Sequence, residues 1–395
     1  MAKVIMHVDL NYFFVRCEEL KNPRLVNKPV MIGGVGRAGI VSTCSYKARE
    51  YGVKSGMPSY KAIELCPHII TIPGDYHYYS LMSREFIQYC KNYTHLIEQT
   101  SIDECYMDIS SLINKENNIE QLLKCFQFGL LKKTGLKCSI GIGPTKFLAK
   151  MASDYKKPMG ITIIRKRDIE NILYPLDVSD FYGIGKRSIP RLHSIGIKTI
   201  GDLANFIFND AKTAKDYFGS FYDYIKDALL GNTDDKIILE SSAPKSIGNS
   251  MTLIRDTDDE EEIRQAITLL SKEVSQRANK EKLKGRTIQL TLKDSSFAVH
   301  SKSKTILDAT NDYQKISDIA YRLYINNYQD NLYRLVGITL QNLSPLKEEN
   351  EQLSFFDETP VDKVNDVINN VNRKFNKKVI DKASNLLKEK RYGNH

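Results

Sequence analysis

Apolar residues recur along this chain in two rhythms. Residues 3–10 (Lys-Val-Ile-Met-His-Val-Asp-Leu) form a nearly unbroken apolar run and predict a buried strand with Asp9 at its C-terminal end. Phe14, Cys17 and Leu20 then follow at helical spacing. Short strands are expected over 28–32 and 40–44, and a helix over 45–51. Helical periodicity covers 77–92, and residues 95–108 predict two strands with Asp103-Glu104 near their junction. A helix over 117–133, a strand over 137–142, a helix over 144–154 and a strand over 160–164 complete an alternating α/β or α+β unit. Residues 168–231 predict short helices punctuated by glycine, and 232–245 a linker. A second α+β module is expected over 246–344, with strands at 287–292 and 335–340 and helices at 259–280 and 313–326. Residues 346–360 are polar and acidic around one apolar island, after which helical spacing returns at Val361, Val364, Val367, Val371 and Phe375.

The 395 residues suggest about two to four domains. Apolar residues make up 42% and charged residues 27%, which excludes wholesale disorder and collagen-like structure. No apolar run approaches the ~18–20 residues of a membrane span, so no membrane partner is expected. Asp9 interrupts the apolar start, which argues against a secretory leader. The seven cysteines are scattered and form no Cys-x-x-Cys pair; they point to free thiols in a reducing, cytoplasmic setting. The net charge of +9 is unevenly spread. Residues 132–167 hold ten Lys and Arg against one acid, and 264–304 hold ten against three. Two such stretches suit a polyanion such as a phosphate backbone, with binding that weakens steeply in salt.

Gly34-Val35-Gly36-Arg37-Ala38-Gly39 fits the G-x-G-x-x-G pattern, but Ile40-Val41-Ser42-Thr43 after it is β-branched and opens no helix. A dinucleotide site needs that helix, so a loop is the better reading. The acidic set is more informative. Asp9 ends one apolar strand, and Asp103-Glu104 begins another. If the two strands are central neighbours, three carboxylates meet within a few ångströms. They then repel one another unless a cation lies between them. Oxygen-only ligands suit Mg²⁺ when phosphates complete its shell. Two such ions about 4 Å apart stabilise both the attacking and the leaving oxygen in phosphoryl transfer. Thr43, Tyr46 and Arg49 stand at i, i+3 and i+6 across a strand-to-helix junction and can point one way. Lys157 precedes Pro158 just before a strand.

Five segments, in this order and spacing, carry a resemblance: Asp9-Leu10-Asn11-Tyr12-Phe13-Phe14, Ser42 to Arg49, Ser101-Ile102-Asp103-Glu104, Gly141 to Lys150 and Lys157-Pro158. Together they resemble the Y-family of translesion DNA polymerases over about residues 1–345. The resemblance implies an α+β multidomain right-hand polymerase. Its palm, built on a ferredoxin-like sheet, takes 1–12 and 76–167. Small fingers take 13–75 and a helical thumb 168–231. A linker over 232–245 leads to an α+β little finger over 246–345 and a tail over 346–395. It further implies error-prone, template-directed synthesis from deoxynucleotides on primer-template DNA. Asp9, Asp103, Glu104 and the Leu10 carbonyl would hold two Mg²⁺ ions. Thr43, Tyr46, Arg49 and Lys157 would hold the triphosphate, helped by the main-chain N–H groups of Asn11, Tyr12 and Phe13. Phe14 falls where the family places an aromatic ring against the sugar 2′ position.

Gly183-Ile184-Gly185-Lys186-Arg187 resembles the family's helix-hairpin-helix, whose glycines let backbone approach a DNA phosphate. Ile189 and Pro190 depart from its usual form, where a small residue is common. Gln352-Leu353-Ser354-Phe355-Phe356 is similar to the peptide by which bacterial polymerases hold the sliding clamp, with Phe355 where Leu is usual. The residues after it could meet an accessory subunit or a recombinase. The position of this peptide ahead of the tail, with Asp9-Leu10-Asn11, leans toward the polymerase V subgroup; the rest leans toward polymerase IV. A non-catalytic lesion or fork scaffold would have no need of the intact Asp9, Asp103 and Glu104. A nucleotidyl cyclase would leave the hairpin and the clamp-like peptide unexplained.

Overall fold

The computed structural model describes residues 3–113, 118–233, 236–239, 243–328 and 331–346. The first part of the chain runs β1 (Ile5–Leu10), α1 (Phe13–Lys21), β2 (Val30–Gly33), β3 (Val41–Cys44), α2 (Tyr46–Glu50), α3 (Ser59–Leu65), β4 (Ile70–Ile72), α4 (Tyr76–Cys90), β5 (Ile97–Gln99), β6 (Glu104–Asp108), α5 (Ile119–Thr134), β7 (Cys138–Gly143), α6 (Lys146–Tyr155) and β8 (Ile161–Ile163). Five strands form one sheet in the order β5-β6-β1-β7-β8, and three form a small second sheet, β3-β2-β4. The unbroken apolar run of β1 has a plain cause. Ile5, Met6, Val8 and Leu10 are buried, because β1 is the middle strand and both its faces are covered. β6 and β7 flank it antiparallel.

Helix α6 lies unusually close to this sheet. A Cβ added to Gly141 in β7 would stand 2.0 Å from the Ala149 carbonyl oxygen, so glycine is what admits the helix. Phe147, Leu148, Met151 and Ala152 on α6 join a different core, that of the helical part which follows. This part comprises α7 (Ile169–Ile172), α8 (Ile189–Ser194), α9 (Ile200–Asn209), α10 (Ala211–Phe218) and α11 (Tyr222–Leu230). One helix thus belongs to two cores and carries its polar face to the end of β1.

The last described part runs β9 (Ser246–Thr257), α12 (Glu260–Lys280), β10 (Leu283–Asp294), β11 (Val299–Thr310), α13 (Tyr313–Asn327) and β12 (Tyr333–Pro345). Its sheet order is β11-β10-β12-β9. Two of these strands, β9 and β11, go beyond the sequence expectation, and β10 and β12 are longer than expected. β9 and β11 are the edges of the sheet; β11 exposes most of its residues and β9 exposes Ser246, Asn249, Ser250 and Arg255, so neither shows a clean apolar alternation. In β10, Ile288, Leu290 and Leu292 are buried in the core that α12 and α13 share. The intervening Gln289 and Thr291 must face the other way. They pair with Ser303 and Ser301 of β11 and with Thr339 and Gly337 of β12, so the open face is rich in hydroxyls and amides.

The glycine-rich segment 34–39 is a loop between β2 and β3, as the absence of a following helix required. All seven cysteines are free thiols, and only Cys125 is exposed. Among the described residues no helix is long and apolar enough to cross a membrane. The clamp-like peptide and the tail lie outside the described residues.

Candidate active site

The register of β1 against β6 sets Asp9 directly opposite Glu104, so the two side chains project from the same face. Asp103 sits just ahead of β6, and its carbonyl accepts the Leu10 N–H at 2.9 Å. Residues ninety-odd positions apart are thereby fixed at one end of two neighbouring central strands by main-chain pairing alone. The carboxylates do not close on one another directly. Among the described residues, no three His, Cys, Asp or Glu side chains surround a common metal position. Two lysines stand among them instead. Lys150 Nζ on α6 lies 3.0 Å from Asp9 Oδ2 and 2.8 Å from Glu104 Oε2. Lys157 Nζ lies 2.7 Å from both Asp9 Oδ2 and Asp154 Oδ1. Like charges held this close require such cations. Three lysines of the 132–167 stretch are therefore spent on acids, since Lys146 also pairs with Glu98. Lys150, which ends the segment from Gly141 but is given no role there, and Asp154, which no motif marks, are further members of the site.

The protonation tendencies follow from these contacts. Burial raises the Asp103 carboxyl above its ordinary range, and the charges of Asp9 and Glu104 add to the rise against the hydrogen bond from Ser101. Glu104 is held well below the usual carboxylate range by the His7 ring that faces it at 3.5 Å and by Lys150. Burial pulls Lys150 down, but the charges of Asp9, Asp154 and Glu104 outweigh it and hold the ammonium protonated. Lys157 is raised in the same way by Asp9 and Asp154.

Beside the acids lies a cavity of about 300 Å³. Asp9, Leu10, Asn11, Tyr12, Phe13, Phe14, Thr43, Tyr46, Arg49, Asp103 and Lys157 line it, together with Ser42 and Ser55. Glu104 does not reach its wall. On the cationic side, the Ser45 side chain caps α2 by accepting the Ala48 N–H, which sets Tyr46 and Arg49 on the exposed turn. The Arg49 guanidinium lies 4.8 Å over the Tyr46 ring. Phe14 is stacked on Tyr79, with centroids 4.5 Å apart and planes 15° apart. The Tyr79 hydroxyl donates to Glu18 at 2.8 Å, so the ring behind Phe14 is itself pinned.

Asn11 is buried and serves the scaffold. Its Nδ2 donates to Ser139 Oγ at 3.0 Å, and its Oδ1 accepts the Met159 N–H at 2.8 Å. Its own N–H is taken by the Lys137 carbonyl. Of the three N–H groups expected to face a triphosphate, that of Asn11 is thus already committed. Gly183, Gly185, Lys186 and Arg187 stand apart from the cavity, in the turn that leads into α8. Gly183 has φ +107°, a conformation glycine adopts freely, and a Cβ on Gly185 would meet nothing, so its backbone is open to a ligand. Pro190 sits in the first turn of α8, where no intrahelical N–H is lost.

The impB/mucB/samB family matches residues 8–154, its C-terminal domain matches 244–355, and the HHH motif of the same family matches 166–197. The DNA polymerase IV of Alkaliphilus oremlandii is 36% identical over 95% of this chain and 94% of its own length. The chain belongs to this family, the Y-family of DNA polymerases. The DNA polymerase IV 1 of Bacillus subtilis is 35% identical over 98% of this chain and 94% of its own length. Among solved structures, a Y-family chimera of Dbh and Dpo4 covers 86% of this chain and 98% of its own, with 26% identity and a TM-score of 0.74. An insertion ternary complex of Dbh DNA polymerase covers the same shares at 28% identity and a TM-score of 0.59. This polymerase has the multidomain α+β architecture of palm, fingers, thumb with helix-hairpin-helix, and little finger. It is a nucleotidyltransferase that performs template-directed DNA synthesis.

Proposed function

We propose that this polymerase extends primers with deoxynucleotides past lesions or at stalled forks, with low fidelity and by two-metal nucleotidyl transfer. One observation carries the reading. Asp9, Asp103 and Leu10 share a single cavity with Thr43, Tyr46, Arg49, Lys157 and Phe14. That brings carboxylate oxygens and a cationic and hydroxyl set to the wall of one space of nucleotide scale. The donors fit Mg²⁺, which prefers carboxylate and carbonyl oxygens completed by substrate phosphates. Asp9, Asp103, Glu104 and the Leu10 carbonyl would hold two such ions. When bound, the pair supplies Lewis-acid stabilisation to the attacking and leaving oxygens.

The chain's own residues do the positioning. Arg49 and Lys157 pair with the triphosphate, and Thr43 and Tyr46 donate to its oxygens. Tyr12 and Phe13 offer main-chain N–H groups at the start of α1. Phe14 fills the space beside the sugar, with Tyr79 behind it. The fingers, taken as residues 13–75, have a small cluster of seven buried apolar residues of their own, while Val30 and Ile32 of their sheet pack into the larger core beside it. So slight a lid has little surface with which to test the shape of a nascent pair. The open face of the β11-β10-β12-β9 sheet, rich in Ser, Thr and Gln, suits a phosphate backbone without base readout. Gly183, Gly185, Lys186 and Arg187 of the thumb hairpin suit the same partner. The palm is assigned to 1–12 and 76–167, the thumb to 168–231, the linker to 232–245 and the little finger to 246–345.

Running-start extension tests the reading. On a primed template with one abasic site, full-length product is expected, at a yield within about an order of magnitude of that on the undamaged template. Copying of the undamaged template with a complete stop before the abasic position would remove the lesion-bypass role. The tail gives a second test. Gln352, Leu353, Phe355 and Phe356 are proposed to hold the sliding clamp, with the residues after them free for an accessory subunit or recombinase. A short tethered peptide binds weakly but raises local concentration. Deleting residues 351–395 should leave short-primer extension unchanged and abolish stimulation by a loaded clamp. Equal stimulation with and without the tail would exclude that contact.

A further inference from the structure

His7 lies in β1, two residues before Asp9, and is fully buried. Its ring stands against Tyr106, with centroids 4.6 Å apart. Nδ1 is 2.8 Å from Ser153 Oγ on α6, and Nε2 is 3.5 Å from Glu104 Oε2. Among the described residues Nε2 makes no formed hydrogen bond, and the Glu104 carboxylate is the acid it faces. Glu104 Oε2 also lies 2.8 Å from Lys150 Nζ, and Ser153 Oγ lies 2.8 Å from the Lys150 carbonyl oxygen. Glu104, His7, Ser153 and Lys150 therefore close a ring of polar contacts that joins β6, β1 and α6.

The hydrogens in this ring can be counted. Ser153 has one hydroxyl hydrogen to give. If it goes to the Lys150 carbonyl, Nδ1 of His7 must be the donor toward Ser153. A neutral imidazole then aims the bare lone pair of Nε2 at a carboxylate. If the hydrogen goes to Nδ1 instead, Nε2 carries the ring hydrogen and presents it to Glu104. Only the second arrangement serves a neutral ring and a carboxylate together. It strands nothing, because the Lys150 carbonyl lies inside α6, where the main-chain ladder already supplies a donor.

We propose that His7 is a positioning residue for Glu104: held in its Nε2–H form by the Ser153 hydroxyl, it orients the carboxylate toward the cation that the acidic site takes. This rests on the metal reading given above. Lys150 cannot do the task alone, since its long stem also answers to Asp9 and Asp154. The imidazole, in contrast, is fixed within the sheet. Outer partners of this kind commonly hold metal-binding side chains in place, and losing one costs about 10–100-fold in metal affinity.

Two measurements on the full chain test it. Nitrogen-15 NMR of the wild-type protein should show the His7 ring with its hydrogen on Nε2. Mn²⁺ binding followed by electron paramagnetic resonance should weaken by about tenfold or more in His7→Phe. His7→Gln should recover most of the loss, because its amide N–H reaches the position of Nε2. A neutral wild-type ring carrying its hydrogen on Nδ1 would overturn the proposal, and so would a folded His7→Phe protein with wild-type Mn²⁺ affinity. Asp103→Ala separates the two ideas. If it binds Mn²⁺ as the wild type does, the metal reading fails and takes this inference with it. If it loses Mn²⁺ while His7→Phe does not, only the role of His7 is removed.

Discussion

Asp103→Ala should lower primer extension in Mg²⁺ by about two to three orders of magnitude while leaving DNA binding intact. The size follows from what is removed. Lewis-acid stabilisation of a phosphoryl transition state contributes several kcal/mol, and each 1.36 kcal/mol is a factor of ten in rate. Asp103 is the acid best placed for this test. It lines the cavity, whereas Glu104 does not, and unlike Asp9 it has no lysine partner among the described residues whose charge would be stranded by the change. Its main-chain carbonyl, which accepts the Leu10 N–H, is untouched by the substitution. What the variant loses locally is the hydrogen bond from Ser101 Oγ at 2.6 Å. The fold should therefore survive, which circular dichroism and an unchanged salt dependence of DNA binding would verify. Single-turnover extension at saturating nucleotide is the decisive reading. Full activity in a folded Asp103→Ala protein would refute the two-metal mechanism.

Phe14→Ala should collapse the preference for deoxynucleotides over ribonucleotides by about a hundredfold or more. Phe14 reaches the cavity from the second residue of α1 and cannot retreat. Tyr79 is stacked against it, and Tyr76 meets it edge-on at 5.7 Å. Tyr79 in turn is fully buried and tied to Glu18. A rigid wall of this kind rejects a 2′-hydroxyl sterically, and about 2.7 kcal/mol of clash is a hundredfold in selectivity. Truncation to alanine removes the wall and leaves the triphosphate contacts alone, so deoxynucleotide insertion should fall far less than ribonucleotide insertion rises. The ratio of kcat/KM values for one base in its two sugar forms measures it. An unchanged ratio would take the sugar gate away from Phe14.

Much of the scaffold was legible before any coordinates, because burial writes itself into the sequence as periodicity. β1, β6 and β7 are apolar runs, for they are covered on both faces. α4 and α5 show a helical stripe, for one side of each meets a core. Local chemistry was legible too. Thr43, Tyr46 and Arg49 share a junction whose geometry depends only on neighbouring residues, and they do line one cavity. The edge strands β9 and β11 were not legible, since an edge is held by main-chain hydrogen bonds that any side chain permits. The carboxylates illustrate the boundary between the two. That their strands are neighbours in one sheet could be read from apolar runs. That Lys150 bridges Asp9 to Glu104 could not, because it depends on how closely α6 approaches the sheet over Gly141.

The amino-acid order by itself determined the buried central strands and the longer helices, which stretches carry excess positive charge and, through five segments in register, the family. These are properties of neighbours in the chain or of composition. Only the tertiary structure decided that Asn11 ties β1 to β7 and to the turn after Pro158, that Tyr79 backs Phe14, and that Ser153 meets His7 across 146 positions. Those contacts arise from close packing between distant elements, where a shift of one ångström makes or breaks a hydrogen bond and no repeat in the sequence records the fit.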